Sequence, residues 1–315
     1  MNASSPIPQK MKSTPRQPHP LARKLTRRGF LRAGVRGGIA VGTLGVSSVA
    51  YGAGVEIDWV EVVSLEVAMP RLPRAFDGFR IAQISDIHIE GGGMRHHFPA
   101  IARLTSAQNA DAIVLTGDYT TSPGTWQEEP LVQGFKELRA PSGVFAVLGN
   151  HDQWGPPAGF PQGAPGGAAL ARAALSRAGA RELCNDCFAI ERSGERLWIC
   201  GLDDWSMGHS DFAALQNRLP AQSCAVLLVH EPDFADAAAE SGRFDLMLAG
   251  HSHGGQIALP FFGPIHLPGG ARQYPRGRYQ VGAMTHYTNR GIGVVDLPIR
   301  FCARPEITVF TLKCV

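Results

Sequence analysis

The sequence predicts an α/β fold with a largely parallel sheet, and two observations lead to that prediction. From about residue 57 onward, short apolar runs rich in Val, Ile and Leu alternate with stretches of helical periodicity. Continuous apolar runs bounded by turn residues are typical of strands buried on both faces, and alternation with helices favours parallel pairing. In such a sheet, functional residues gather just beyond the carboxyl ends of the strands.

Each predicted element follows this pattern in chain order. The predicted strands are Phe79–Ser85, Ala112–Thr116, Val144–Leu148, Leu197–Cys200, Ala225–Val229 and Phe244–Ala249. The predicted helices between them are Pro99–Asn109, Leu131–Leu138, Ala168–Ala178 and Asp211–Arg218. After His253 the alternation stops, and the last predicted strands belong to a more antiparallel section: Gln256–Pro260, Gly263–Leu267, Gly291–Leu297 and Glu306–Leu312.

Residues 1–55 are predicted to be an export leader, and residues 56–315 a single domain. The twin-arginine export pattern is matched by Thr26-Arg27-Arg28-Gly29-Phe30-Leu31-Arg32, and a Gly-rich apolar run follows it. Ala50-Tyr51-Gly52 resembles a cleavage site. The apolar run is just long enough to span a bilayer, so an uncleaved anchor is one alternative and a disordered basic tail is another. We expect export by the twin-arginine machinery, to the periplasm or to the outer face of the inner membrane.

The net charge of +3 hides an uneven distribution. Residues 1–55 hold nine of the 30 Lys and Arg residues and no acid, so the remaining chain carries 21 basic and all 27 acidic residues. The predicted domain is therefore acidic, which argues against a nucleic-acid partner. The six cysteines are expected to be ordinary thiols or to form one disulfide, because the Cys184/Cys187 pair has no second Cys-x-x-Cys to complete a metal site.

Five segments with metal-ligating residue types follow the apolar runs. They are Asp86-Ile87-His88, Gly117-Asp118, Gly149-Asn150-His151-Asp152, His230 and Gly250-His251-Ser252-His253. Divalent cations prefer carboxylate oxygens and imidazole nitrogens, and residues two apart on an extended segment face the same side. Each segment alone is a weak signal, but all five at strand ends predict a metal centre.

This order of motifs resembles the calcineurin-like metallophosphoesterase family over roughly residues 78–315. The segments 249–256, 274–277 and 289–293 are similar to those of exported or membrane-linked bacterial phosphoesterases. The resemblance implies a four-layer α/β/β/α sandwich, in which helices flank two mixed β-sheets. It also implies a dinuclear metal site at the carboxyl edge of the sheets.

Carried over to this chain, the resemblance implies two sets of metal ligands. One metal would be held by Asp86, His88, Asp118 and His253, and the second by Asp118, Asn150, His230 and His251. Asp118 serves both ions because a carboxylate has two oxygens. These oxygen and nitrogen ligands suit two divalent ions such as Mn, Fe or Zn without selecting one of them.

The resemblance further implies hydrolysis of a phosphodiester or phosphomonoester by in-line attack of a metal-bridging hydroxide. His151 is expected to be the general acid for the leaving oxygen, and Asp152 to hold the His151 imidazole in the useful tautomer. The expected partner is a phosphate-ester small molecule or a lipid-linked substrate. The substrate-binding residues stay unassigned.

Three other functions are weighed against this one. Similar proteins include UDP-2,3-diacylglucosamine pyrophosphatases of lipid A synthesis, but their substrate lies on the cytoplasmic side and does not match an exported domain. A non-catalytic metal-binding protein would keep the ligands, yet the presence of His151 argues against it. A dinuclear amidase or peptidase fits the Gly-Asn-His-Asp and Gly-His-x-His segments poorly.

Overall fold

The computed structural model describes residues 35, 45–122, 127–155 and 166–315, except for the side chain of Arg95. Most of the predicted leader, including the twin-arginine pattern, lies outside these residues. Residues 45–54 form a helix, α1, and no helix in the described ranges is long and apolar enough to cross a bilayer. Of residues 1–47, only 35 and 45–47 are described, whereas Ser48–Val315 forms one compact unit.

Two six-stranded mixed sheets form this unit. In the first sheet the order is β1 (Glu61–Ala68), β14 (Glu306–Lys313), β2 (Arg80–Ile84), β3 (Ala112–Thr116), β4 (Val144–Val147) and β5 (Arg181–Glu182). In the second it is β12 (Gly277–Val281), β13 (Met284–Thr288), β9 (Leu246–Ala249), β8 (Ala225–Leu228), β7 (Glu195–Gly201) and β6 (Asp186–Arg192). The antiparallel pairs are β14 with β2, β12 with β13, and β6 with β7; the remaining neighbours within these two sheets are parallel. A separate hairpin pairs β10 (Ala258–Leu259) with β11 (Gly263–Pro264).

Helices cover the outer face of each sheet. They are α2 (Met94–Ser106), α3 (Glu128–Lys136), α4 (Gly167–Ala178), α5 (Phe212–Arg218) and α6 (Ala235–Glu240). In β3, Ile113 packs in the apolar cluster under α2–α4, while its neighbour Val114 packs between the sheets. In β8, Val226 lies between the sheets, and Leu227 packs in the cluster under α5 and α6. Strand side chains alternate in this way, so the structure confirms the predicted four-layer α/β/β/α sandwich.

One predicted strand is wrong. Gly291–Leu297 contains no strand but a loop held against the end of β2, where the amides of Ile292 and Gly293 donate to the carbonyls of Ser85 and Asp86. Gly291 has φ +70°, and a Cβ there would come within 2.7 Å of the Asp86 Cβ. The segment therefore packs closely against Asp86, a candidate metal ligand, instead of extending a sheet.

One disulfide joins the second sheet internally. Cys187 and Cys200 face each other across the antiparallel β6–β7 pair and are bonded. Cys184, Cys224, Cys302 and Cys314 are free thiols. Of the two cysteines in the Cys-x-x-Cys segment, Cys187 is therefore in the disulfide and Cys184 is a free thiol.

Candidate metal centre

Both sheets contribute to one cluster of side chains at their carboxyl edges. From the first sheet come Asp86 and His88 after β2, Asp118 after β3 and Asn150 after β4. From the second come His230 after β8, and His251 and His253 after β9. The parallel pairing of β2–β4 and of β8–β9 brings these strand ends to one edge.

The cluster contains two groups that can each hold a metal ion. Asp86, His88 and His253 form the first group, and Asp118, His230 and His251 form the second. Within each group, one possible ligand atom per residue lies within 4.8 Å of the others, and all six side chains are buried. The groups divide these six residues as the family resemblance implies.

Asp118 stands between the two groups. Its Oδ2 atom lies 3.1 Å from His230 Nε2 in its own group and 3.6 Å from His88 Nε2 in the other. Its Oδ1 atom accepts a hydrogen bond from the amide of His151 at 3.0 Å. The carboxylate therefore reaches both candidate metal positions, as a bridging ligand requires.

Asn150 provides a test of whether metal ions fit here. Its Oδ1 atom is buried and accepts no hydrogen bond from any residue that the structure describes. Such an orphaned acceptor is costly unless something else binds it. A cation beside Asp118 would supply the missing partner, so the residues present fit a dinuclear centre.

Two pairs of ring nitrogens support the same conclusion. His88 Nε2 lies 3.1 Å from His253 Nε2, and His251 Nδ1 lies 3.1 Å from His230 Nε2. Four imidazoles that face one another in pairs in a buried site are the arrangement expected around cations.

The second ring nitrogen of three histidines is hydrogen-bonded away from the cluster. His230 Nδ1 lies 2.7 Å from the Thr116 carbonyl, and His251 Nε2 lies 2.8 Å from the Gly269 carbonyl. His88 Nδ1 lies 2.9 Å from Thr121 Oγ1. A carbonyl accepts only from an N–H, so in the neutral form of His230 and His251 the nitrogen facing the cluster is the one free to bind a metal.

Electrostatics keep most of these imidazoles neutral. Burial lowers the pKa of His88 to about 3, and burial followed by the charge of His230 lowers the pKa of His251 to about 4. His230 differs. Burial alone would lower its pKa, but the adjacent Asp118 carboxylate holds the pKa of His230 well above its usual range. A metal ion that binds here replaces this proton, because only the neutral imidazole is a ligand.

The backbone at the site is strained. Five candidate ligands have positive φ angles: Asp86 (52°), His88 (43°), Asp118 (57°), His251 (69°) and His253 (51°). Residues other than glycine rarely adopt this conformation, and such strain concentrates at functional sites. Gly250 makes the strand end possible, because a Cβ there would come within 2.4 Å of Asp86 Oδ2.

His151 lies beside the metal cluster and lines the neighbouring cavity. Its Nδ1 atom is 3.1 Å from the carbonyl of Thr121. Its ring lies on that of Trp154 with centroids 4.1 Å apart, and it meets the His88 ring edge-on. The ring is thus fixed by contacts from three different segments.

Asp152 does not have the role predicted for it. Its two carboxylate oxygens accept hydrogen bonds from the backbone amides of Asp118, Tyr119, Thr120 and Gly149. The residue is fully buried beneath the loop that follows β3. Asp152 therefore fixes the position of Asp118, and the Thr121 carbonyl orients His151 instead.

Arg300 is a neighbour of the site that the sequence did not reveal. Its side chain is fully buried, and its Nη2 atom lies 3.4 Å from His253 Nδ1. The guanidinium also donates to the carbonyls of Gly293, Ala303 and Arg290. A lone Arg in an ordinary loop carries no motif, so only the structure shows this contact.

A cavity of about 320 Å³ opens next to the cluster. Its lining includes the polar residues Asp118, Asn150 and His151, and an apolar part formed by Ile257, Ile265, Pro268, Val295 and Leu297. A ligand in this cavity would meet both the candidate metal positions and an apolar surface.

Comparisons with known proteins place this chain in a family. A dimetal phosphatase of Danio rerio has a similar structure, with a TM-score of 0.43 and 14% identity over 75% of this chain and 99% of that one. The chain is 35% identical over 294 residues to the uncharacterized metallophosphoesterase YkuE of Bacillus subtilis (strain 168), covering 92% of this chain and 99% of that protein. It is 27% identical to the phosphodiesterase YaeI of Escherichia coli (strain K12), covering 91% and 99%. Residues 79–255 match the model of the family described as calcineurin-like phosphoesterase, to which this chain therefore belongs.

Proposed function

We propose that this metal-dependent phosphoric ester hydrolase cleaves phosphodiesters and that His151 gives the proton to the leaving oxygen. The observation that carries the proposal is the pair of ligand groups joined by Asp118, with the orphaned Asn150 oxygen beside them. The E. coli relative is named a phosphodiesterase. The apolar wall of the cavity also offers a surface for the second substituent of a diester.

The protein's part in the reaction is mainly to position groups. Asp86, His88, Asp118 and His253 would hold one cation, and Asp118, Asn150, His230 and His251 the other. When bound, the two cations supply Lewis acidity to the phosphoryl oxygens and activate water as the nucleophile. The hydrogen bonds of His230 and His251 to carbonyls keep their ligating nitrogens directed inward.

His151 is suited to protonate the leaving oxygen because one of its nitrogens is already occupied. The Thr121 carbonyl accepts a hydrogen bond from Nδ1–H, so in the acid form of the ring Nε2 is the nitrogen that gives its proton to the leaving oxygen. The amide of His151 donates to Asp118 Oδ1, which ties the acid to the carboxylate shared by both groups. The tilted contact with the Trp154 ring keeps the imidazole in place.

The substitution His151→Ala tests this role. We expect the rate with a glycerol phosphodiester, whose alkoxide leaving group needs a proton, to fall roughly 100-fold or more. The rate with bis(p-nitrophenyl) phosphate should fall much less, because nitrophenolate leaves without protonation. Steady-state kinetics of the manganese-loaded protein on both substrates measures the difference, with exposed His209→Ala as the matched control. Equal losses on the two substrates would mean that His151 only supports the metal site, and preferential cleavage of monoesters would reassign the substrate class.

The proposed place of action is outside the inner membrane, reached by the twin-arginine route. The disulfide between Cys187 and Cys200 supports this, since disulfides persist in oxidising compartments. A reporter that is active only in the cytoplasm, fused after residue 315, should be silent in the wild type. Changing Arg27 and Arg28 to Lys should make it active, and activity already in the wild-type fusion would exclude export.

A further inference from the structure

The hairpin formed by β10 and β11 carries an unusual set of exposed apolar side chains. Phe261 and Phe262 are 105% and 88% exposed, the highest values among the large apolar residues that the structure describes. Leu259 and Ile265 on the same hairpin are also exposed. Residues 256–270 contain no Asp, Glu, Lys or Arg. An uncharged, exposed apolar patch of this kind marks an interaction surface.

The tip of the hairpin holds Phe261 in a conformation that favours glycine. The amide of Phe262 donates to the Leu259 carbonyl at 3.2 Å, which closes a turn with Pro260 and Phe261 at its centre. Phe261 has φ +69°, and the third position of such a turn is ordinarily glycine. An aromatic residue here strains the backbone and contributes no packing to the fold. Its side chain therefore serves a contact outside the folded chain.

The base of the hairpin is part of the wall of the catalytic cavity. Ile257 and Ile265 line this cavity together with Asn150 and His251. The amide of Ile265 donates to the Ile257 carbonyl at 3.0 Å, so the two residues are fixed side by side. A surface or molecule that binds the tip of the hairpin would therefore lie close to the candidate metal positions.

The hairpin also lies on the flank of the compact unit where Tyr51 and Gly52 of α1 pack. Ile257 forms a bridge with Phe301, and Phe301 packs edge-on against Tyr51 of α1 with ring centroids 6.4 Å apart. The amide of Arg300 donates to the carbonyl of Gly52 in the same helix. Residues 1–44 precede this helix and contain nine Lys and Arg residues but no acid, a charge that favours an anionic lipid surface.

Aromatic and basic side chains typical of a membrane interface contact residues 302–304, the segment that follows Phe301. The Arg304 guanidinium lies 3.8 Å above the ring of half-exposed Trp59, and exposed Arg276 donates to the Cys302 carbonyl. Trp and Arg residues around an apolar tip are typical of proteins that sit at the headgroup level of a bilayer. Two exposed acids also lie on this flank: Asp296 is beside Leu297 on the cavity wall, and Asp58, next to Trp59, pairs with His97 at 3.2 Å. Two Phe side chains and their neighbours are a small surface compared with the roughly 800 Å² per partner of a stable protein interface, which favours lipid over a second copy.

We propose that the hairpin at residues 257–265 inserts its Phe261–Phe262 tip into a lipid surface, and that the esters cleaved are phosphodiesters of phospholipid head groups. The substrate class rests on the proposed phosphodiesterase function, whereas the docking does not. In this arrangement the apolar wall of the cavity continues into the hairpin, and a head group reaches the metal positions while its acyl chains stay in the membrane.

The test compares the full chain with the Phe261→Gly/Phe262→Ser variant. Co-sedimentation with vesicles of phosphatidylglycerol and phosphatidylethanolamine measures docking, in low salt and in high salt that screens the basic N-terminal segment. We expect the vesicle affinity of the variant to be at least about tenfold lower than that of the wild type in both conditions. Its melting temperature should be unchanged or higher, because glycine relieves the strained turn. Leu104→Ser/Met207→Ser removes two exposed apolar side chains elsewhere and should bind like the wild type.

Two activity measurements separate the docking from the reaction. Both variants should cleave soluble bis(p-nitrophenyl) phosphate at the wild-type rate, while the hairpin variant should cleave vesicle phospholipids more slowly by the factor lost in binding. Equal vesicle binding by the hairpin variant and the wild type would overturn the docking. It would also be overturned if the wild type binds no vesicles but forms a dimer, and the hairpin substitutions make that dimer dissociate. Docked wild type that cleaves the soluble diester but no vesicle phospholipid would overturn the lipid substrate. If the wild type cleaves no diester at all, the proposed function fails, and vesicle binding still decides the docking.

Discussion

Single residues show how far the chemistry of this site depends on contacts that are distant in sequence. His151 and Asp152 are neighbours in the chain, and adjacency alone suggests that the carboxylate holds the imidazole. In the folded chain, Asp152 binds four backbone amides and His151 is oriented by Thr121, 30 residues away. The sequence indicated which residues belong to the site, because their types and order form a motif. It could not indicate their hydrogen-bond partners, because carbonyls and amides are present at every position.

Asn150 gives the first prediction at this scale. Its buried Oδ1 lacks a hydrogen bond within the described residues, so Asn150→Ala removes an unsatisfied group from the metal-free protein. We expect the metal-free variant to be unchanged or stabilised by about 1 kcal/mol. The same variant should lose the ion held with His230 and His251. Thermal unfolding in chelator and metal analysis of the reloaded protein measure these two effects.

Asn185→Ala is the matched control for that prediction. Asn185 Oδ1 accepts from the amides of Asp203 and Asp211, and its Nδ2 donates to the His209 carbonyl. Removing these satisfied bonds should destabilise the metal-free protein and leave the metal content intact. A metal-free Asn150→Ala protein that is as destabilised as Asn185→Ala would contradict a ligand role for Asn150.

At the scale of elements, the buried strands were predictable and the exposed ones were not. β3 and β8 are buried throughout, because helices cover one face of each sheet and the other sheet covers the second face, and their bounds are close to the predicted ones. β1 alternates exposed and partly buried residues at the sheet edge, and β6 is only partly buried, so neither gives a continuous apolar run. The position of β14 between β1 and β2 arises from pairing across most of the chain, which no local pattern indicates.

His286 on β13 provides a prediction about pH. The residue is fully buried, with Nδ1 near the Met247 carbonyl and Nε2 near Thr288 Oγ1, and burial lowers its pKa from 6.5 to about 3. Below pH 6.5 His286 is protonated in the unfolded chain but stays neutral in the folded chain. This difference lowers the free energy of unfolding as the pH falls. Between pH 6.5 and about 5 the loss amounts to about 2 kcal/mol.

The substitution His286→Gln tests this dependence, since glutamine can keep a hydrogen bond but does not titrate. Urea unfolding at several pH values should give a shallower fall in stability for the variant than for the wild type. Exposed His209→Gln should follow the wild-type curve. Parallel curves for His286→Gln and the wild type would show that His286 titrates alike in the folded and unfolded chain.

For the whole molecule, the candidate metal centre lies where the two sheets meet at one edge. Elsewhere the sheets are held together by apolar side chains such as Val114, Phe145, Val226 and Leu248. At the carboxyl edge the first ligand group combines Asp86 and His88 from one sheet with His253 from the other, and the second group likewise draws on both sheets. Metal binding is therefore coupled to the packing of the sheets, because the ligands assemble only when both sheets are in place.

This coupling leads to a prediction about stability. Manganese at about 100 times its dissociation constant should stabilise the folded chain by about 2.7 kcal/mol for each ion that binds only the native state. The melting temperature should rise by about 2–4 °C per kcal/mol, measured by calorimetry with and without chelator. Asp118→Asn should reduce the rise more than His253→Gln does, because Asp118 lies within reach of both groups whereas His253 belongs to one. If His253→Gln abolishes the whole rise and Asp118→Asn spares it, the two ions do not share Asp118.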